Sequence, residues 1–510
     1  GAGNGGRGDV EIASSGTLTT TAGLDITGAN ITLTLAADKL LSVNATTSIT
    51  GSTNVTLIAD EMTLASAGPG DSIKATGGTL LLRAVENGTL LKLGAGAGAD
   101  VSGAGAAGTL ALDATDLGAL DDTSAAIQFG SNAVKGATTI TNSGATRTIN
   151  APLTIYATTF GFAAAADALA TDSTLTINAT GAITDAAGDE TTTDLTATTL
   201  TIGGGTTIGS TAANALNLSV ATLVINATNG AAFLTEASGV ALGTVNVGAN
   251  ALNLRAILGD ITNSSSAITA SNLTLTVDAN GAAIGATGAA NDINVTLSGT
   301  LTASAATGTG GIFITQTGNL TVASVDAGTG NIELESSGTI TDAAGVDTTT
   351  DITGADLTIR NSTGIGTSAA DALNLSVTNL TITTTSGNAF LTEANGIGLG
   401  TVNVVANALS LEAITGNITD NTSAVTAGNL TLTATASGAA IGASGAATDI
   451  NVTLSGTLTA SAATGAGGIF ISQTGNLTVG AVNAGTGDVE IASSGTLTTT
   501  AGLDITGANI

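Results

Sequence analysis

The chain is 510 residues long with a net charge of -29, from 9 Lys and Arg against 38 Asp and Glu, and it contains neither Cys nor His. Those absences exclude disulfides, thiolate or imidazole metal sites and any nucleophilic triad built on a His base, and the polyanionic balance argues against nucleic acid as a partner. No apolar run approaches the roughly 18 residues of a membrane helix, so membrane insertion is not expected, and 71 Gly against 2 Pro excludes collagen and Pro-rich linkers.

The composition is 43% apolar yet has no Trp, one Tyr (Tyr156) and one Met (Met62), so Ala, Val, Leu and Ile must fill the core. Side chains of similar, small size suit thin stacked layers. Arg7, Lys39, Lys74, Arg83, Lys92, Lys135 and Arg147 precede residue 150, and only Arg255 and Arg360 follow it.

In chain order, residues 1–31 open on a glycine-rich stretch with no signal peptide, which reads as a mature or excised segment. Within it, Gly5-Gly6-Arg7-Gly8-Asp9 approaches both a glycine-rich Ca²⁺ nonapeptide and an Arg-Gly-Asp attachment triplet. The equivalent later turn, Ala484-Gly485-Thr486-Gly487-Asp488, lacks the Arg, so a glycine corner is the expected meaning. Residues 32–180 form a divergent block. It carries the acid pairs Asp60-Glu61 and Asp121-Asp122, and an apolar stretch over residues 160–170 interrupted by Asp167. Residues 163–170 are the one place where a helical turn and a loop are both open readings.

Residues 181–337 and 338–494 are two copies of a 157-residue block without insertion or deletion; over residues 291–338 and 448–495, 38 of 48 positions are identical. Residues 495–510 begin a further unit, because the stretch 8–31 is repeated without a change as 487–510, displaced by 479. Such self-similarity is the signature of a repeat architecture. Inside the block, Leu301, Leu320, Ile340, Leu357, Leu380, Val402, Leu430 and Leu458 mark seven steps averaging about 22 residues, the length of one coil of a parallel β-helix. Apolar residues alternate with Thr, as in Leu273-Thr274-Leu275-Thr276-Val277, which predicts half-buried strands with Leu and Val inward and Thr outward. The fold expected is all-β, a parallel β-solenoid of roughly 23 coils. Phe233, Phe313, Phe390 and Phe470, at matched places in the two blocks, are expected to point inward as bulky fillers.

Residues 475–479 (Gly-Asn-Leu-Thr-Val) and 487–497 (Gly-Asp-Val-Glu-Ile-Ala-Ser-Ser-Gly-Thr-Leu) carry a resemblance. The cadence is similar to the shaft repeats of filamentous haemagglutinin-like bacterial adhesins and related β-helical surface proteins, and it extends over nearly the whole chain. The resemblance implies a secreted bacterial shaft, with binding confined to a tip or to inserted domains.

The acid pairs, including Asp189-Glu190, whose counterpart Val346-Asp347 has lost one acid, lack a consistent basic partner of the kind β-helical polysaccharide lyases use. They read as solvated loop carboxylates, and loop carboxylates are the groups left to bind Ca²⁺ weakly. Asn-x-Ser/Thr triplets, as at Asn44, Asn178, Asn272 and Asn476, read as turns, and Thr-x-Thr rows as outward strand residues rather than an ice-binding ladder. No catalytic, cofactor-binding or metal-binding residue is assigned, and no enzyme activity is expected. The function expected is the structural shaft of an extracellular fibre on a microbial cell surface. Its partner would be itself, by covalent tandem array or head-to-tail continuation. An adhesin binding a glycan or cell-surface ligand through its lateral face is the alternative.

Overall fold

The computed structural model describes all residues except 1–7, 66–72, 95–107, 142–146, 186–191, 227, 265, 346–347, 385, 422–423, 446 and 503. The chain is a parallel β-solenoid, with coils about 22 residues apart and about 21 turns. It divides into two compact units, Gly1–Ile257 and Leu258–Ile510, a boundary that falls inside the first 157-residue block.

In the first unit the alternation of Leu and Thr does what period two requires. Leu80, Ile127, Leu153, Leu175, Leu200 and Leu223 pair rung upon rung in register, and each is 1% exposed or less. Burying each such side chain is worth about 1.5–3 kcal/mol. The neighbouring Thr154, Thr176 and Thr201 form the outward row. In the second unit the same logic stacks Leu409, Leu430 and Leu458. The sequence markers fall on more than one ladder: Leu320 pairs with Ile340 and Leu357 with Leu380, but Ile340 pairs with Ile365.

A recurring hydrogen bond explains the Gly-Thr-Leu cadence. Asn272, Asn319, Asn429 and Asn476 each accept, through Oδ1, the backbone N–H of a Thr in the next coil: Thr300 at 2.9 Å, Thr339 at 3.1 Å, Thr457 at 2.9 Å and Thr496 at 2.9 Å. The residue before each Thr is Gly, and a Cβ at Gly299 or Gly338 would lie 2.2 Å from that Asn oxygen. The Asn-x-Thr triplets at Asn272 and Asn476 are therefore corner brackets between coils.

The register step from one coil to the next varies, being short where Leu216 pairs with Leu234 and longer where Leu273 pairs with Leu301. One interval in the divergent block exceeds both by a wide margin: Leu80 pairs directly with Ile127. Between them, strand Leu90–Leu93 joins Thr138–Ile140 on one side and Thr109–Leu112 on the other, so the strand later in sequence takes the earlier place in the ladder. The chain rejoins the coil at Leu120, opposite Ile73. Dividing length by step counts this excursion as a coil, which is one reason the observed number of turns falls below the expected number.

One reading left open is decided and one expectation is corrected. Residues 163–170 hold no helix: the segment runs from strand Phe160–Phe162 through a turn, where Asp167 accepts the N–H of Ala164 at 2.9 Å, into strand Leu169–Thr171. The described helix is Ala114–Gly118, inside the excursion, with Asp113 and Asp116 forming a capping box. The four Phe residues do not take the inward places of their strands, although Phe313 is buried, at 7% exposed. Ile312 and Ile314 take the inward positions of their strand, so Phe313 lies on the outer side, and its ring covers the space a side chain at Gly311 would need. Phe470 does the same over Gly468, and Phe233 and Phe390 are likewise half-buried between inward neighbours. The inward rings are Phe129, Phe160 and Phe162, all in the divergent block, the first two at most 1% exposed and the third 8%.

Candidate functional site

The expectation of solvated loop carboxylates is corrected for Asp60 and Asp121, which are buried and structural. Asp60 is buried and accepts the N–H groups of Asp38 at 3.1 Å and Val85 at 2.8 Å, tying three coils together. Asp121 pairs with Lys74 at 3.2 Å across the long excursion. Burial pushes its carboxyl up, but hydrogen bonds from Thr123 and Lys74 outweigh that and hold it below the usual range. Asp189-Glu190 and Val346-Asp347 lie outside the described residues, as do Gly5 to Arg7. Asp9 accepts from Asn30 Nδ2 at 2.8 Å, bracing the first glycine corner.

Four buried side chains escaped the sequence reading: Glu236, Gln316, Glu393 and Gln473, each closing a strand whose second residue is Phe. They recur at nearly equal intervals, half a block apart. The Phe-x-x-Glu/Gln spacing was the available signal, and it shows that each 157-residue block is itself two related halves. Glu236 accepts the N–H of Val220 at 3.0 Å and of Ser238 at 3.1 Å, and Glu393 those of Val377 and Asn395, both at 3.0 Å. Gln316 and Gln473 accept from Leu297 and Leu454, each at 3.1 Å, and their Nε2 atoms donate to carbonyls of the same corner. Burial pushes the carboxyls of Glu236 and Glu393 up to about 7, against the opposing pull of those hydrogen bonds. With both Glu side chains fully buried, these are corner brackets that no substrate reaches.

On the outer side of the second unit, Arg360 meets three carboxylates: Asp292 at 3.1 Å, Glu335 at 3.4 Å, and Glu333. Thr315 Oγ1 adds a 2.7 Å hydrogen bond to the buried Asp292. The counterparts of Asp292, Glu333 and Glu335 in the second block are Asp449, Glu490 and Ala492. Burial, and then the nearby Glu490 charge, raise the Asp449 carboxyl.

The divergent block supplies an aromatic and basic grouping that is invisible in sequence, because its members are far apart along the chain and meet only through the fold. Arg83, Lys135 and Tyr156 line one shallow cleft of about 20 Å³, room for about one water, together with Glu86, Leu90, Leu110 and Val134. Arg83, Gly130 and Tyr156 follow the paired rungs Leu82, Phe129 and Ile155, and so fall on three successive coils. Arg83 Nη1 donates to its neighbour Ala84 O at 2.9 Å, and Lys135 Nζ to Asn132 Oδ1 at 3.1 Å. Among the described residues neither cation has a carboxylate within ion-pairing distance. Burial lowers the Arg83 pKa. No group of three or more acidic side chains that could hold a metal ion is found among the described residues. In comparisons with known proteins, no family, no characterised protein and no solved structure matches the chain.

Proposed function

We propose that the chain is a non-enzymatic structural shaft, part of an extracellular fibre on a microbial cell surface, built from 479-residue units that continue one another in register. The observation that carries this reading is the behaviour of the duplicated stretch, 8–31 and 487–510. Ala29 N–H donates to Gly8 O at 3.0 Å and Ala508 N–H to Gly487 O at 2.8 Å; Asn30 Nδ2 meets Asp9 Oδ1 at 2.8 Å and Asn509 Nδ2 meets Asp488 Oδ1 at 2.6 Å. The same text thus makes the same coil-to-coil contacts at two places, as a tandem unit must. Nearest-neighbour coil contacts allow such a stack to lengthen without a new core, and the resemblance to haemagglutinin-like shaft repeats points the same way. The chain itself, in the next unit or the next subunit, is the partner this reading requires, and no cofactor is.

Antibodies raised against the recombinant chain are expected to label fibres on intact cells by immunogold electron microscopy, with the antigen removed by protease treatment of whole cells. Labelling only after the cells are opened would sink the reading. The alternative, an adhesin acting through its lateral face, draws on one observation, the Arg83–Lys135–Tyr156 cleft.

A further inference from the structure

Burying a carboxylate without a partner is costly. Of the buried carboxylates among the described residues, all but one accept at least one hydrogen bond. The exception is Asp449, 2% exposed, whose carboxylate has neither a hydrogen-bond donor nor a cation and lies near the charge of Glu490.

The matched site in the first block shows what such a pair of carboxylates holds. There Asp292 accepts from Thr315 Oγ1 at 2.7 Å and from Arg360 Nη2 at 3.1 Å, and the same Nη2 atom meets Glu333, the counterpart of Glu490. A single positive centre bridges the two carboxylates. In the second block Ser472 stands for Thr315 and makes no such bond, while Asp420 replaces Asn263 and adds negative charge on the preceding coil, where Asn451 Nδ2 donates to it at 2.6 Å. The rungs themselves are unchanged. Ile450 pairs with Ile471, which sets Asp449 opposite Phe470, and Phe470 pairs with Glu490. The Phe470 ring lies back over Gly468, as the Phe313 ring lies over Gly311, and in the first block that arrangement leaves room for Arg360 Nη2. A further coil in register does not supply the cation. Strand Val489–Ser493 has the same text as Val10–Ser14, and there Ala13 lies opposite Thr34, whereas in the first block Glu335 lies opposite Arg360.

We propose that Asp449 and Glu490 form a Ca²⁺ site, in which the ion takes the place that Arg360 Nη2 holds in the first block. Ser472, standing where Thr315 touches Asp292, adds a hydroxyl oxygen, and water completes the shell. All these donors are hard oxygens, and the loose coordination of Ca²⁺ tolerates a partly hydrated, irregular set where Mg²⁺ demands a near-ideal octahedron. Two carboxylates balance the double charge, and exposed Glu490 lets the ion enter from solvent. The site needs neither tandem continuation nor a cell surface.

The test is a thermal-melt titration of the full chain with CaCl2, after removal of metal with a chelator, at about 0.15 M NaCl to screen the distant negative charge. The melting temperature is expected to rise and to saturate, with half-saturation at about 0.1–1 mM, the range of weak extracellular Ca²⁺ sites. Asp449→Asn should abolish the saturable rise, and Glu490→Gln should weaken it tenfold or more. In chelator Asp449→Asn should melt no lower than the parent, which separates loss of the site from loss of the fold; calorimetric titration should then show one Ca²⁺ equivalent fewer than in the parent. N-acetylarginine amide in place of Ca²⁺ should give no saturable rise. A rise that never saturates, one that survives unchanged in Asp449→Asn or Glu490→Gln, or saturation by the arginine amide at an equal or lower concentration would overturn the proposal.

Discussion

Residues 32–180 and residues 338–494 build coils from the same aliphatic rungs, yet they treat irregularity in opposite ways. The repeated block keeps every register step modest, from the pairing of Leu373 with Leu391 to that of Leu430 with Leu458, and places its polar corners at matched positions, Glu393 and Gln473. The divergent block leaps from Leu80 to Ile127 in one pairing, inserts a helix and a strand out of sequence order, and buries rings at Phe129 and Phe160. Each coil needs only its neighbours, so an excursion costs the stack nothing beyond its own boundaries. That freedom is where a solenoid can acquire a cleft, and it is where Arg83, Lys135 and Tyr156 meet.

The comparison can be broken most directly at the aromatics. Phe129→Ala, at an inward rung of the divergent block, should destabilise by about 3–5 kcal/mol, whereas Phe470→Ala, on the outer side of a repeated coil, should cost less than about 2 kcal/mol. Equal losses in urea unfolding would reverse the face assignment. Next in size is the ion cluster. Arg360→Ala leaves Asp292 buried without its cation and should cost about 2–3 kcal/mol at pH 7, after discounting for the partial exposure of Arg360. Asp449→Asn, at the matched site where Glu490 opposes the charge, should instead be neutral or mildly stabilising. If both variants shift the midpoint alike, the two sites are not different in kind.

Glycine positions sharpen the account of corners. At Gly338 the added methyl would meet backbone atoms, Asn319 N and Gly318 C, both at 2.7 Å, as well as Asn319 Oδ1; at Gly203 the close atom is Asn178 Oδ1, at 2.3 Å. Gly338→Ala should therefore cost about 2 kcal/mol, and Gly203→Ala less, with recovery when combined with Asn178→Ala. Thermal melts of the single and double variants provide the check.

The buried carboxyls at the corners add a pH dependence. In the folded chain Glu236 and Glu393 have carboxyls raised to about 7 from an unfolded value of 4.5, so the folded state holds the proton more tightly. Their contribution is most favourable below pH 4.5 and is lost as pH rises through about 7, by about 1–2 kcal/mol each after allowance for screening at a corner. Glu236→Gln with Glu393→Gln should flatten the melting temperature between pH 5 and 8. A slope unchanged from the parent chain would place the titration elsewhere.

Much of this was legible from the residues alone. Leu-Thr alternation with Gly, Asn and Ser at short intervals makes the strands legible, and its recurrence in tandem at about 22 residues points to a parallel solenoid, in which each coil buries its aliphatic inner face by stacking on its neighbours. The fidelity of the 157-residue copies and the absence of Cys and His likewise settled what the coils are made of and which chemistries are closed to them. Tertiary structure alone decided which face each ring takes, since Phe313 sits in an alternating strand whose inward places Ile312 and Ile314 already hold. It also decided the leap from Leu80 to Ile127, because a strand inserted out of order obeys the same local pattern as one in order. And it brought together Arg83, Gly130, Lys135 and Tyr156: their meeting depends on coil register, a sum over every loop length between them, which no local stretch of sequence encodes.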